Sequence, residues 1–123
     1  MTHTKLILIV DDEAANRILL EAILDCMGYM YRSAGDGFEA LACLSPEFDL
    51  ILLDVMMPGL NGFEVAQRIR NGDSCQDIPI IMVTGLNTEE DRRAALQAGA
   101  NAFVTKPIDR RELGLSISSL LDA

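Results

Sequence analysis

The stretch DLILLDVMMPGLNGFE, residues 49–64, runs four apolar residues, Leu50 to Leu53, straight into Asp54 and then into Val55, Met56 and Met57. A run this apolar predicts a strand buried on both faces, as parallel-sheet strands are. A buried carboxylate is costly unless something pairs with it. The partners of Asp54 therefore decide how the rest of the chain is read.

Four further segments suit buried strands: Lys5–Val10, Tyr29–Ala34, Ile78–Thr84 and Ala102–Thr105, with Asp49–Leu53 as the third in order. Helical patterns fill the gaps. Asn16, Leu20, Ile23 and Met27 recur at helical spacing, DGFEALACL follows the second strand and GFEVAQRIR the third. TEEDRRAALQAGA follows the fourth, with Thr88 as N-cap and Gly99 as stop. DRRELGLSISSLL closes the chain, Asp109 and Glu112 standing at capping-box spacing. Strand and helix alternate five times, which predicts an α/β fold with a parallel sheet and helices on both faces.

In such sheets chemistry collects beyond the carboxyl ends of the strands. Those ends carry Asp11 and Asp12, Asp54, Thr84, and then Lys106-Pro107. Three acids together repel one another, and one lysine cannot neutralise them. A hard divalent cation can, and Mg²⁺ takes a few oxygens while keeping several waters. Asp12 and Asp54 are the expected direct ligands, Asp11 acts through a water, and the Met56 carbonyl offers a backbone oxygen. Asp54 then has the surroundings of a nucleophile toward phosphorus. Lys106 and Thr84 stand ready to stabilise the phosphoryl oxygens.

Each member alone has a blander reading. An acid at a strand end is commonly a helix cap or turn former, Thr84 suits any strand, and a single lysine is usually solvated. Their joint placement is what is specific. ILIVDDE, LILLDVMMPGLNGFE, IPIIMVTG and AFVTKP, in this order and spacing, closely resemble the receiver domain of bacterial two-component response regulators. The resemblance spans nearly the whole chain and implies a flavodoxin-like, doubly wound (βα)5 fold of strand order 2-1-3-4-5, as in chemotaxis receivers. It implies phosphotransfer with Mg²⁺ onto Asp54, from a sensor histidine kinase or a phosphotransfer protein. Asp11 and Asp12 match the family's acidic pair, Thr84 its switch hydroxyl, Phe103 its switch aromatic and Lys106 its lysine. It further implies a cis Lys106-Pro107 bond, and an output face built from the fourth helix, fifth strand and fifth helix. A downstream effector domain or protein would engage that face, and a homodimer stays open.

The composition bounds the partners. With 123 residues and a formal net charge of −9, the chain is expected to be a single domain, 1–123, without an effector domain, and without nucleic-acid contacts of its own. No apolar run approaches a membrane span and no signal peptide opens the sequence, so a cytoplasmic setting is expected. Cys26, Cys43 and Cys75 lack CxxC spacing and read as free thiols, with Cys75 in NGDSCQD expected to be the most exposed. His3 reads as part of a tail, and the methionines as gap fillers.

The last helix carries Leu113, Leu115, Ile117, Leu120 and Leu121, more apolar residues than one face needs; packing and a partner surface are both open readings. Three other functions fit less well. A phosphatase of haloacid-dehalogenase type needs a second acid where Met56 stands. A flavin mononucleotide protein needs phosphate donors where DDEAAN stands. A receiver used only for binding has no need of all five chemical residues. A phosphoacceptor module that turns over no independent substrate is the expectation. Met56 and Leu86, two positions past Asp54 and Thr84, should flank the mouth of the site, and neither can orient a water.

Overall fold

The computed structural model describes residues 5–121; His3 lies outside them. The elements alternate as β1 (Leu6–Val10), α1 (Ala14–Met27), β2 (Met30–Ala34), α2 (Gly37–Cys43), β3 (Leu50–Leu53), α3 (Gly62–Arg70), β4 (Ile80–Thr84), α4 (Glu89–Ala98), β5 (Ala102–Thr105) and α5 (Arg110–Leu121). All neighbouring strands pair in parallel, in the order β2-β1-β3-β4-β5. The parallel sheet is what the alternation predicts, and its strand order is what the resemblance to receivers implies.

Side-chain alternation along the strands divides the core into two layers. Ile7, Ile9, Leu50, Leu52, Ile81, Val83 and Val104 face α1 and α5, packing with Leu20, Leu24, Leu113 and Ile117. Leu8, Val10, Ile51, Leu53, Ile80, Met82 and Phe103 face α2, α3 and α4. Strands covered on both sides have no use for polar residues, which explains the unbroken apolar runs of β1, β3 and β4. Burying each such side chain contributes about 1.5–3 kcal/mol.

Strand β2 departs from the expectation of a fifth buried strand. It lies at the sheet edge, and only Ala34 of Met30–Ala34 is buried. Its polar Arg32 and Ser33 fit that position. Cys75 also departs, since it is half-buried against the core beside Phe48 and Ile78, whereas Cys26 and Cys43 are exposed. On α5, Leu113 and Ile117 are buried, Leu120 and Leu121 pack against the core, and Leu115 stays exposed.

Caps follow local chemistry. Thr88 caps α4 and Gly99 ends it in the left-handed region at φ 112°, as the sequence predicts. Asn61 and Glu64, three positions apart, form a reciprocal capping box on α3. At α5 only half of the predicted box forms: Asp109 accepts from the Arg111 and Glu112 amides, and among the described residues Glu112 returns no bond.

At the amino ends of the strands, Arg70 ties three elements together. Its guanidinium donates to the carbonyls of Gly99 (2.7 and 3.0 Å), Gln76 (2.8 Å) and Ile78 (2.7 Å), and to the Asn101 side-chain oxygen (2.9 Å). That oxygen also accepts from the Ile80 amide. A Cβ at Gly99 would lie 2.6 Å from Arg70 Cγ, so glycine is needed there for space as well as for its φ. Helix α4 buries only Ala95 and Ala98, and two of these five bonds hold the carbonyl of Gly99, which ends it. Replacing Arg70 by Met, which keeps the stem and deletes five donor contacts, should lower unfolding free energy by about 2–3 kcal/mol. A urea midpoint equal to wild type would contradict this.

Candidate active site

The carboxyl ends of β1, β3, β4 and β5 bring the predicted residues to one edge. Asp11 follows β1 and Asp54 follows β3, where the Asp54 amide donates to the Val10 carbonyl at 2.9 Å and prolongs the ladder by one residue. Lys106 arrives from β5, with its backbone amide donating to the Thr84 carbonyl at 2.7 Å. Its Nζ then lies 3.1 Å from Asp11 Oδ2 and 3.4 Å from Asp54 Oδ1. An oxygen from each of Asp11, Asp12 and Asp54 lies within 4.8 Å of the others. The Lys106–Pro107 bond is cis.

Backbone approach fixes where Asp54 stands. The Gly62 amide donates to Val55 O at 2.9 Å, and a Cβ on Gly62 would lie 2.4 Å from the Asp54 carbonyl oxygen. Any side chain at 62 would push the start of α3 off the strand end. Asp11 is similarly fixed: its Oδ1 accepts from the Glu13 amide at 2.9 Å, and its carbonyl accepts from Arg17 Nη1 at 2.7 Å. Gly62 and Arg17 carry no sequence signal that would have singled them out. Thr84 is fully buried and its Oγ1 accepts from the Leu86 amide at 3.2 Å.

The electrostatics are unbalanced. Asp54 is 5% exposed, and burial pushes its pKa up to about 6, with the Asp11 charge adding to the rise. Lys106 opposes this without cancelling it. For Lys106 itself, burial works against the charged form, but its bonds to Asp11 and Asp54 prevail and hold its pKa above the usual lysine value. Three carboxylates against one ammonium leave a surplus of hard oxygen donors and negative charge. That donor set fits Mg²⁺.

A family model for the response regulator receiver domain matches residues 7–118. The chain belongs to this family. Among receiver relatives, the "Probable transcriptional regulator ycf27" of Cyanophora paradoxa is 46% identical over 120 residues, covering 97% of this chain and 49% of that protein. Response regulator PleD of Caulobacter vibrioides is 44% identical over 115 residues, covering 93% of this chain and 25% of that protein. The chain thus spans a quarter to about half the length of the curated relatives it matches. The receiver domain of sensor histidine kinase PA1611 from Pseudomonas aeruginosa, solved with a magnesium ion in its active-site cleft, superposes with a TM-score of 0.89. It is 31% identical, with 98% of this chain and 100% of that one covered.

Beside the receiver's acidic edge lies a mostly apolar groove of about 440 Å³ lined by Val55, Met56, Met57, Pro58, Phe63 and Leu86, with Asn61. Met56 is 64% exposed and Leu86 is half-buried, so both border the mouth. Phe103 is only 8% exposed, and the Arg92 guanidinium lies 5.1 Å from its ring centroid. The ring is therefore already mostly buried against α4.

Because Asp54 binds its proton more tightly folded than unfolded, its contribution to stability falls as pH rises from about 4 to about 6. The shift from 3.8 to about 6 corresponds to about 3 kcal/mol at most. Without Mg²⁺, Asp54→Asn should be more stable than wild type above pH 6, and the gap should close by pH 4. A gap that stays constant across that range in paired urea titrations would contradict this assignment.

Proposed function

We propose that this receiver accepts a phosphoryl group on Asp54 from a phosphohistidine of a sensor histidine kinase or phosphotransfer protein. What supports the reading is the convergence of Asp11, Asp12, Asp54 and Lys106 on one edge. Asp11, Asp12, Asp54 and the Met56 backbone carbonyl would hold Mg²⁺, which when bound offsets negative charge on the acids and on the incoming phosphoryl oxygens.

An Asp54 carboxylate oxygen attacks phosphorus, the phosphorus–nitrogen bond breaks, and the imidazole leaves with the electron pair. A pKa of about 6 still leaves Asp54 mostly ionised at neutral pH, as a nucleophile must be. Lys106 supplies a fixed positive charge to the phosphoryl oxygens. Water attack later releases inorganic phosphate and restores the carboxylate. Met56 and Leu86 cover the approach without orienting a water, which slows that reset. Turnover of free phosphate esters would require an acid at position 56 to protonate the leaving group, and a thioether has no such proton.

Output goes through α4, β5 and α5. Thr84 releases its Leu86 amide and turns its hydroxyl to the phosphoryl group, and Phe103 repacks under Arg92. Phosphorylation needs only to favour the rearranged state over the resting one. Exposed Leu96 on α4 and Leu115 on α5 offer apolar contacts to a downstream effector domain or protein, or to a second copy.

Incubation with acetyl phosphate and Mg²⁺ should add one phosphoryl group, seen as a mass increase. Asp54→Asn should take none, and Thr84→Ala should take it while losing most of the amide-shift changes in α4 and β5. Label persisting in Asp54→Asn would place the nucleophile elsewhere, and full shifts in Thr84→Ala would remove Thr84 from the switch.

A further inference from the structure

The peptide joining Asp11 to Asp12 is held by a residue outside the acidic set. Arg17, in the first turns of α1, donates from Nη1 to the Asp11 carbonyl at 2.7 Å, the length of a charge-assisted bond. The Asp11 amide donates to Ala34 O at 3.2 Å, and its carboxylate is held by Lys106 and by the Glu13 amide. Asp11 is thus fixed at its amide, carbonyl and side chain.

Asp12 is not. Among the described residues its carboxylate takes part in no hydrogen bond or ion pair. Its direction follows from its backbone alone, and the peptide plane that precedes it is the one Arg17 grips. Nor does the helix start supply a substitute, because the N-cap residue Glu13 makes no side-chain capping bond. Arg17 is also not spent on an ion pair, since no carboxylate lies within 4.0 Å of it among the described residues.

We propose that Arg17 is a positioning residue for the acidic pair, pinning the Asp11–Asp12 peptide so that the Asp12 carboxylate is aimed at the cation. This rests on the Mg²⁺ reading above. Partners of this kind orient ligands without touching the ion, and losing one weakens metal affinity by about tenfold or more.

Charge and geometry pull in opposite directions here, which makes the test sharp. A guanidinium beside the acids repels a second cation, so if charge were its only effect, Arg17→Met would tighten Mg²⁺ binding. If positioning dominates, Arg17→Met weakens it about tenfold, and Arg17→Lys, with a donor of similar reach, restores most of the loss.

Mg²⁺ titrations followed by amide shifts measure this directly, and the metal-free spectrum adds an independent readout. The Asp12 amide belongs to the gripped peptide and should broaden in Arg17→Met before any metal is added. Arg17→Gln, polar but too short to reach the carbonyl, reads the same sign should Arg17→Met not fold. Equal or tighter Mg²⁺ binding in the variant, with an unchanged Asp12 amide, overturns this inference alone. A wild type that does not respond to Mg²⁺ overturns the metal reading and this inference with it.

Discussion

Lys106 stands between two buried carboxylates, 3.1 Å from Asp11 and 3.4 Å from Asp54, and much else in the molecule depends on that contact. One ammonium makes it tolerable to end two neighbouring central strands in acids. It does not make the arrangement comfortable, because Asp54 still prefers its proton until the pH reaches about 6. A site left short of positive charge is poised to take up a cation. The same surplus keeps it unfavourable for an anionic phosphoryl group until a cation is present.

The sheet makes this possible by stiffness. β1, β3 and β4 are covered on both faces, so their ends cannot yield to the repulsion by bending outward. Gly62 brings the start of α3 against the Asp54 backbone, and Arg17 does the corresponding work behind Asp11. Helix α4 buries only alanines, is tied by Arg70 at its far end, and carries Arg92 over Phe103.

Most of the frame was legible because strand–helix alternation and continuous apolar runs are local signals. Asp11, Asp12, Asp54, Thr84 and Lys106 were legible because strand ends converge in a parallel sheet, and because the motifs resemble those of receivers. The misjudged parts depend on tertiary neighbours. Tyr29–Ala34 has the β propensity of a strand but not the position of a central one. Cys75 sits in a polar stretch that folds back over Phe48 and Ile78. Arg70 and Arg17 look like ordinary helix-surface charges until the carbonyls they serve are placed beside them, and those carbonyls belong to segments up to about thirty residues away.

The fold holds Asp11, Asp12 and Asp54 in a mutual repulsion that a divalent cation would relieve. Thermal unfolding across an Mg²⁺ titration tests it most directly. Wild type should melt several degrees higher as Mg²⁺ rises, since a ligand at a hundred times its Kd adds about 2.7 kcal/mol to the folded state. Asp12→Ala should lose most of that rise. An identical Mg²⁺ response in wild type and Asp12→Ala would show that the acidic cluster does not hold the cation.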